Sequence, residues 1–187
     1  GPLFIGANSH ILGGNIKNSS IDNNCKISGE INQCVIQCFT NKAHYGYLGN
    51  SYVGRWVNLG AGTTTSNLKS NYSSISIDYN GKKFDTKLQF LGSIIGDYVK
   101  TSIGTCLNTG TLIGMGSLLV NHNFDIKFYP SFSWGSPKNK ELFDIEKFLK
   151  SVKAIKKRRN LKLTNIEENL FQLIHSKKLH LLPKWIF

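Results

Sequence analysis

The length, composition and charge of the chain exclude several classes of protein. Its 187 residues, 40% of them hydrophobic, are enough for one soluble domain with a modest appendage. No run approaches the ~18 apolar residues of a membrane span, and the N-terminal residues lack the charged and apolar regions of a signal peptide.

The net charge of +12 indicates anionic partners but leaves their class open. Nucleic acid is one interpretation, because residues 153–159 (KAIKKRR) concentrate cations. The other lysines are scattered, and attraction of small anions such as sugar phosphates and coenzyme A explains the charge with fewer assumptions. A coding bias toward Asn, Lys and Ile is a third explanation. We predict small-molecule substrates and no nucleic acid.

The cysteines contain no Cys-x-x-Cys pair; they are Cys25, Cys34, Cys38 and Cys106. A zinc site or a disulfide framework is therefore not expected, and buried thiols in a reducing cytosol fit better. We predict a cytoplasmic protein without a metal site.

Residues 1–40 read as short successive coils, with turns marked by pairs such as Gly13-Gly14 and Asn23-Asn24. The repeat described next begins at once, with no capping segment before it, although repeat arrays usually need such a cap. We therefore expect the chain to be the C-terminal part of a longer protein or a piece cut at a domain boundary.

A six-residue repeat runs through the chain with interruptions. Its positions are Ile5 and Ile11, Ile21 and Ile27, then Tyr47, Val53, Leu59 and Thr65, and finally Ile95, Thr101, Leu107, Ile113 and Leu119. A helix has a period of about 3.6 and a strand a period of 2, so a period of six fits neither. It is typical of a solenoid in which each short strand contributes one inward aliphatic side chain.

Residues 66–92 interrupt the repeat and contain a hairpin signal. Asn80-Gly81 is a preferred two-residue turn, and ISIDY and KKFDTKLQF flank it. We predict an inserted arm, which either reaches a neighbouring subunit or decorates the surface.

After Val120 an irregular aromatic segment leads into helical patterns. One helical face carries Leu142, Ile145, Leu149, Val152 and Ile155. A capping box of Thr164 and Glu167 opens a second helix, which carries Ile166, Leu170, Leu173 and Ile174. We predict a β-helical domain over residues 1–135 and a stabilising helical extension over 136–187. We expect the apolar tail LLPKWIF to dock on the rest of the protein.

Several stretches resemble one family. The strip NKAHYGYLGNSYVGRWVNLGAGTTTSNLKSNY, with DTKLQFLG, IIGDYVKTSIGTCLNTGT and FYPSFSWG after it, is similar to the hexapeptide-repeat acetyltransferase domain of the bifunctional N-acetylglucosamine-1-phosphate uridyltransferases. It looks closer still to the sugar nucleotidyltransferases with a hexapeptide-repeat C-terminus found in Bacteroidetes. The resemblance covers roughly residues 1–135, and the helices match loosely.

The resemblance implies an all-β fold, the left-handed parallel β-helix, usually assembled as a trimer. It implies transfer of an acetyl group from acetyl-CoA to an amino-sugar phosphate resembling glucosamine 1-phosphate, in the synthesis of UDP-N-acetylglucosamine for the cell envelope. The catalytic positions fall on His44 and Asn67. The substrate-binding positions fall on Tyr47 and Asn58, and we add Lys42. The coenzyme contact falls on Ala61, to which we add Gly60, Gly62 and Ser102. We expect the basic helix that contains KAIKKRR to lie near the phosphates of the coenzyme or to cap the β-helix.

The chain departs from the family pattern at several contacts. Leu68 stands where the family has a tyrosine, and Gly92 stands where it has a lysine, which Lys82 or Lys87 would have to replace. A family serine aligns with Ile103, beside Ser102, and two basic residues that hold the sugar phosphate have no counterpart among residues 14–36. These departures affect the expected identity of the substrate more than the expected acetyl-transfer chemistry. Because no glycine-rich nucleotidyl motif is present, this chain alone is not expected to make nucleotide sugars.

The chemistry of the strip agrees with the resemblance. Acetyl transfer to an amine needs a base, and an imidazole such as that of His44 changes charge near neutral pH. The backbone N–H groups of residues 60–62 can approach a thioester, because little side chain blocks them. Two alternatives stay open. One is a non-catalytic trimerising or regulatory β-helix of a larger nucleotidyltransferase, with His44 a structural turn residue. The other is a β-helical metal enzyme, for which His10, His44 and His122 lack suitable spacing.

Overall fold

The computed structural model describes residues 1–120, 125–135 and 142–178, which form a parallel β-helix followed by two helices. The tail LLPKWIF and His122 lie outside these residues. The strands are β1 (Phe4–Ile5), β2 (His10–Ile11), β3 (Asn15–Lys17), β4 (Ser20–Ile21), β5 (Lys26–Ile27), β6 (Glu30–Asn32), β7 (Val35–Ile36), β8 (Asn41–Lys42), β9 (Tyr47–Gly49), β10 (Tyr52–Val53), β11 (Thr64–Thr65), β12 (Ser76–Tyr79), β13 (Lys82–Asp85), β14 (Ser93–Ile95), β15 (Lys100–Thr101), β16 (Cys106–Leu107), β17 (Thr111–Ile113), β18 (Leu118–Leu119) and β19 (Phe128–Tyr129).

Parallel pairing between successive turns wraps the chain around three faces. The first face has the order β1-β4-β7-β10-β14-β17-β19. The second face contains β2-β5-β8 and β15-β18, joined by single bridges from Asn41 to Asn58 and from Asn58 to Lys100. The third face contains β3-β6-β9 and β11-β16. This confirms the predicted fold class, an all-β left-handed parallel β-helix with an inserted hairpin and a helical extension.

The inward side chains of successive turns stack into one core, and most of the predicted repeat positions belong to it. Those buried include Ile21, Ile27, Val53, Leu59, Ile95, Leu107, Ile113 and Leu119. The predicted phase is wrong at Tyr47, which is only half-buried, because Leu48 points inward instead. Ile5 and Ile11 are 42% and 41% exposed, so the fully buried column begins with Ile21.

Three of the cysteines lie in or against this core. Cys25, Cys34 and Cys38 are buried, and Cys106 is exposed. The Sγ atoms of Cys25 and Cys34 each lie 3.3 Å from a backbone carbonyl oxygen of the next turn. Burial raises the pKa of both thiols to about 11, which keeps them protonated at neutral pH.

The predicted hairpin is present and folds back onto the prism, as we call the β-helix with its three faces. β12 and β13 pair antiparallel around Asn80 and Gly81, whose φ angles of 50° and 74° suit a type I′ turn. Ile77 packs on Ile94 and Leu112, which face outward on the first face. The arm is therefore anchored on its own subunit, while β13 is exposed along its length.

Two helices, α1 (Ile145–Lys157) and α2 (Asn165–Ser176), pack along the corner between the first and second faces. The Thr164–Glu167 capping box is present as predicted. The helices bury Phe148, Leu149, Val152, Phe171 and Ile174 against Tyr98, Met115 and Phe132. The helices therefore cover the side of the prism. Within the described residues, neither helix is long and apolar enough to cross a membrane.

The predicted apolar faces of the helices are only partly the packed ones. Leu142 precedes α1, and Phe148 makes the central contact instead. In α2 only Ile174 of the predicted residues is buried, whereas Ile166 is 81% exposed. The reason is that α2 docks through the edge that carries Phe171 and Ile174.

Candidate active site

His44 lies at the corner between the second and third faces, in the turn that joins β8 to β9. Gly46 ends this turn with a φ angle of 122°, and a Cβ atom there would lie 2.2 Å from the carbonyl oxygen of Thr63. The turn therefore requires glycine both for its backbone angle and for its contact with the next turn. His44 and Tyr45 are exposed on the outer side of the corner.

The corners of the next two turns stack directly on this one. Gly62 N donates a hydrogen bond of 3.1 Å to the carbonyl oxygen of Tyr45, and Gly104 N donates one of 2.7 Å to that of Ala61. The half-buried Ser102 belongs to the third of these corners. The structure thus brings His44 and the predicted coenzyme contacts into one column.

Tyr47 and Asn67 meet on the third face beside this column. Asn67 Nδ2 donates to Tyr47 Oη at 3.0 Å and to Asn50 Oδ1 at 2.7 Å. The phenol lies over Gly49, where a Cβ atom would approach Oη to 2.2 Å. Partial burial raises the pKa of Tyr47, so the phenol stays neutral and keeps its own O–H to donate to a ligand. Sequence reasoning missed Asn50, which orients Asn67.

Lys42 occupies an inward position and is 1% exposed. Its Nζ donates to the carbonyl oxygens of Ser28, at 3.2 Å, and of His44, at 2.9 Å. Burial lowers the pKa of this ammonium group to about 8. The structure therefore places Lys42 inside the β-helix beneath the His44 turn, and not on the outer surface with Tyr47. Its ammonium group hydrogen-bonds to the backbone of that turn.

Most of the backbone N–H groups of residues 60–62 donate hydrogen bonds within the protein. Gly60 N donates to Thr101 Oγ1 at 3.0 Å, and Gly62 N donates to Tyr45 as described above. Of the three N–H groups, only that of Ala61 has no acceptor among the described residues. Ala61 is therefore the backbone donor of this corner with capacity for a ligand.

Asn58 lies on the second face, away from Tyr47 and Asn67. Asn41 Nδ2 donates to Asn58 Oδ1 at 3.1 Å, and Asn58 bridges to Lys100 in the next turn. The predicted substrate contacts are thus divided between two faces of the same subunit.

No family model matches the chain. Curated proteins do match part of it. It is 34% identical over 92 residues to the bifunctional protein GlmU of Methanococcus vannielii, covering 49% of this chain and 22% of that protein. It is 32% identical over 87 residues to a bifunctional sugar-1-phosphate nucleotidylyltransferase/acetyltransferase of Sulfurisphaera tokodaii, covering 46% and 22%. It is 31% identical over 127 residues to the GlmU of Buchnera aphidicola, covering 64% and 24%.

The chain is a β-helix that resembles a part of these proteins. It spans less than a quarter of the length of these relatives. The closer likeness to proteins of Bacteroidetes stays a prediction.

The structure also brings four basic residues together beside Asn58, two of which sequence reasoning missed. Lys26, Lys100, Arg158 and Arg159 line one groove with Asn58, between the second face and the end of α1. A signal for two of them existed, because the segment KAIKKRR contains both arginines. Lys26 and Lys100 carried no such signal, since only the register of the turns places them beside Asn58.

Proposed function

We propose that the chain is an acyltransferase that moves the acetyl group of acetyl-CoA onto the amine of a glucosamine-1-phosphate-like sugar, in the synthesis of UDP-N-acetylglucosamine for the cell envelope. The likeness to a relative named as a sugar-1-phosphate nucleotidylyltransferase/acetyltransferase carries this proposal. We assign the acetyl-transfer half of that name because the family resemblance of the sequence covers roughly residues 1–135, which contain the β-helix. The non-catalytic alternative is not favoured by these relatives.

In this mechanism His44 is the general base. The amine nitrogen of the sugar attacks the thioester carbonyl carbon, and the His44 imidazole accepts the proton that the amine loses. The N–H of Ala61 donates to the oxygen that becomes negative in the tetrahedral intermediate. The carbon–sulfur bond then breaks, and the coenzyme thiolate takes the proton back from the imidazolium.

Tyr47 and Asn67 orient the sugar in this scheme. The Tyr47 O–H donates to the substrate, because its oxygen already accepts from Asn67 and its own proton is uncommitted. Asn67 acts through Tyr47 and through its bond to Asn50. Ser102 and the small residues Gly60 and Gly62 border the path of the coenzyme.

We further propose a homotrimer, with the open side of each site covered by a neighbour. Support comes from Tyr45, which is 73% exposed beside His44 and gives an aromatic surface for a second subunit. We place the protein in the cytoplasm, where acetyl-CoA and reduced thiols coexist, and assign it no nucleic-acid partner and no metal requirement for acetyl transfer.

The decisive experiment mixes the purified chain with acetyl-CoA and glucosamine 1-phosphate and measures the N-acetylated product by mass spectrometry. Product formation that depends on both substrates is the expected result. If the chain acetylates no amino-sugar phosphate, the acetyltransferase proposal fails and the non-catalytic β-helix replaces it.

A further inference from the structure

A groove on the second face concentrates positive charge outside the His44 corner. It encloses about 460 Å³ between this face and the C-terminal end of α1. Its polar lining consists of Lys26, Asn41, Asn58, Lys100, Arg158 and Arg159. None of the described residues that line it carries a carboxylate.

Four of these residues form a column in register. Lys26 pairs with Asn41, Asn41 bridges to Asn58, and Asn58 bridges to Lys100. Neighbouring parallel strands lie about 4.8 Å apart, so the two lysine backbones are separated by roughly 14 Å. The column therefore presents a cation at each end and two amides between them.

Within the part of the chain that the structure describes, the cations of the groove have no carboxylate partner. Lys153 and Lys156, on the same helix, form ion pairs with Glu168 and Glu167. Among the described residues no such pair involves Lys26, Lys100, Arg158 or Arg159.

Lys100 is the most constrained of these cations. Its Nζ donates to Ser151 Oγ at 2.6 Å, and burial lowers its pKa. Ser151 Oγ is the one acceptor of this half-buried ammonium group among the described residues, so an anion that enters the groove stabilises it.

Two other features of the groove suit an organic ligand rather than a bare ion. Asn41 Oδ1 is buried with no donor among the described residues, which leaves one unused acceptor. Phe39 and Trp56 also line the groove and stack on each other with ring centroids 4.2 Å apart. A ligand with donors and a flat or apolar part complements these groups.

We propose that this groove binds the phosphate groups of a phosphorylated organic ligand, with Arg158, Arg159 and Lys100 as the phosphate contacts. For the source of the phosphate the inference rests on the proposed function, which offers coenzyme A and the sugar phosphate. Three of its cations, Lys100, Arg158 and Arg159, lie outside the segment 14–36, where the family's two phosphate-holding basic residues have no counterpart. The groove also gives Asn58 a ligand on a different face from Tyr47. The C-terminal end of α1 is then part of a binding site, in addition to packing against the side of the β-helix.

Direct binding tests this site independently of turnover. Isothermal titration at one fixed ionic strength measures coenzyme A, 3′-dephospho-coenzyme A, glucosamine 1-phosphate and glucosamine against the full chain. The variant Arg158→Gln/Arg159→Gln removes two charges from the groove. The matched control, Lys150→Gln/Lys157→Gln, removes two charges from exposed positions of the same helix.

We expect the arginine variant to lose at least about tenfold in affinity for one phosphorylated ligand, since charge-assisted hydrogen bonds to phosphate are strong, and the control to change by less than about threefold. If the groove binds the coenzyme, the arginine variant loses affinity for coenzyme A. It loses less affinity for 3′-dephospho-coenzyme A if the groove contacts the 3′-phosphate. A sugar source predicts the loss for glucosamine 1-phosphate only, with glucosamine unaffected.

Two results overturn the site. One is that the wild-type chain binds none of the phosphorylated ligands, and the other is that the arginine variant binds them as the control does. Lys100→Met is a second groove variant and is expected to weaken the same ligand. If binding depends on the arginines but the wild type transfers no acetyl group, the proposed function fails and the site stands. If transfer occurs and the arginine variant binds normally, only the site fails.

Discussion

The corner at His44 is held by three neighbours, so its imidazole can be removed with little structural cost. Lys42 holds the carbonyl of His44 from inside, Gly62 bonds to Tyr45, and the turn closes through Gly46 against Thr63. None of these contacts uses the His44 side chain, which is exposed. Activity and stability should therefore separate at this residue.

His44→Ala is expected to lower kcat by ~10²–10⁴-fold, which is what a general base contributes. The melting temperature should stay within about 1–2 °C of wild type, because an exposed side chain with no partner carries little stability. Steady-state kinetics and thermal denaturation measure the two effects. His10→Ala, which removes another exposed histidine, is the control and should keep full activity. Undiminished turnover by His44→Ala would contradict its assignment as the base.

Lys42 makes stability depend on pH. Its pKa is about 8 in the folded chain and about 10.4 when unfolded. Between these values the unfolded chain binds more protons, so this group makes the fold more stable as pH rises, by up to about 3 kcal/mol. Below pH 8 the folded chain buries Lys42 as a charged ammonium ion, and the stabilisation gained at higher pH is absent.

The measurement is urea denaturation of wild type and Lys42→Met from pH 7.5 to 10. The difference in unfolding free energy should shift in favour of wild type as pH rises, while other titrating groups cancel. Lys17→Met, at an exposed position of β3, should show a constant difference from wild type. A constant difference for Lys42→Met as well would refute the burial of a charged lysine in the prism.

At the scale of elements, α1 and α2 are held to the prism by one aromatic cluster. Phe148 lies at its centre, with ring centroids 5.0 Å from Phe132, 5.4 Å from Phe171 and 5.9 Å from Tyr98. These rings belong to both helices and to two turns of the β-helix. The position of Arg158 and Arg159 over the second face depends on this packing.

Phe148→Ala should destabilise the docked helices by about 3–5 kcal/mol, the usual cost of removing a buried phenyl ring. Amide hydrogen exchange should show α1 and α2 losing protection while the β-helix keeps it, because the core of the prism is a separate cluster. Ile166→Ala, on the exposed side of α2, is the matched control and should change stability by less than about 0.5 kcal/mol. Equal loss of protection in helices and prism would show that they unfold as one unit.

At the scale of the whole molecule, the open corner at His44 is the reason to expect assembly. Light scattering at micromolar concentration should give three times the 20.9 kDa of one chain. Added salt should leave this mass unchanged if the contacts are mainly apolar. A monodisperse monomer would contradict the trimer and would leave the site open on one side.

Local patterns in the sequence determined the type of each element. The six-residue period fits only a coil of short strands, the pair Asn80-Gly81 selects a type I′ hairpin, and Thr164 with Glu167 caps α2. Each of these signals is carried by residues close together in the chain. The resemblance of the strip at residues 41–72 added the candidate site residues, of which the structure brings His44, Ala61 and Ser102 into one column.

Only the tertiary structure decided the register and the distant contacts. Phe4 pairs with Ser20, Ser20 with Val35 and Val35 with Tyr52, so the turns differ in length by a residue or two. A slip of one residue exchanges the inward and outward sides of a strand, which is why Leu48 rather than Tyr47 enters the core and why Lys42 points inward. The basic groove forms only when α1 docks beside the second face. That docking follows from the packing of Phe148 against residues that are distant in the chain, and no local sequence pattern predicts it.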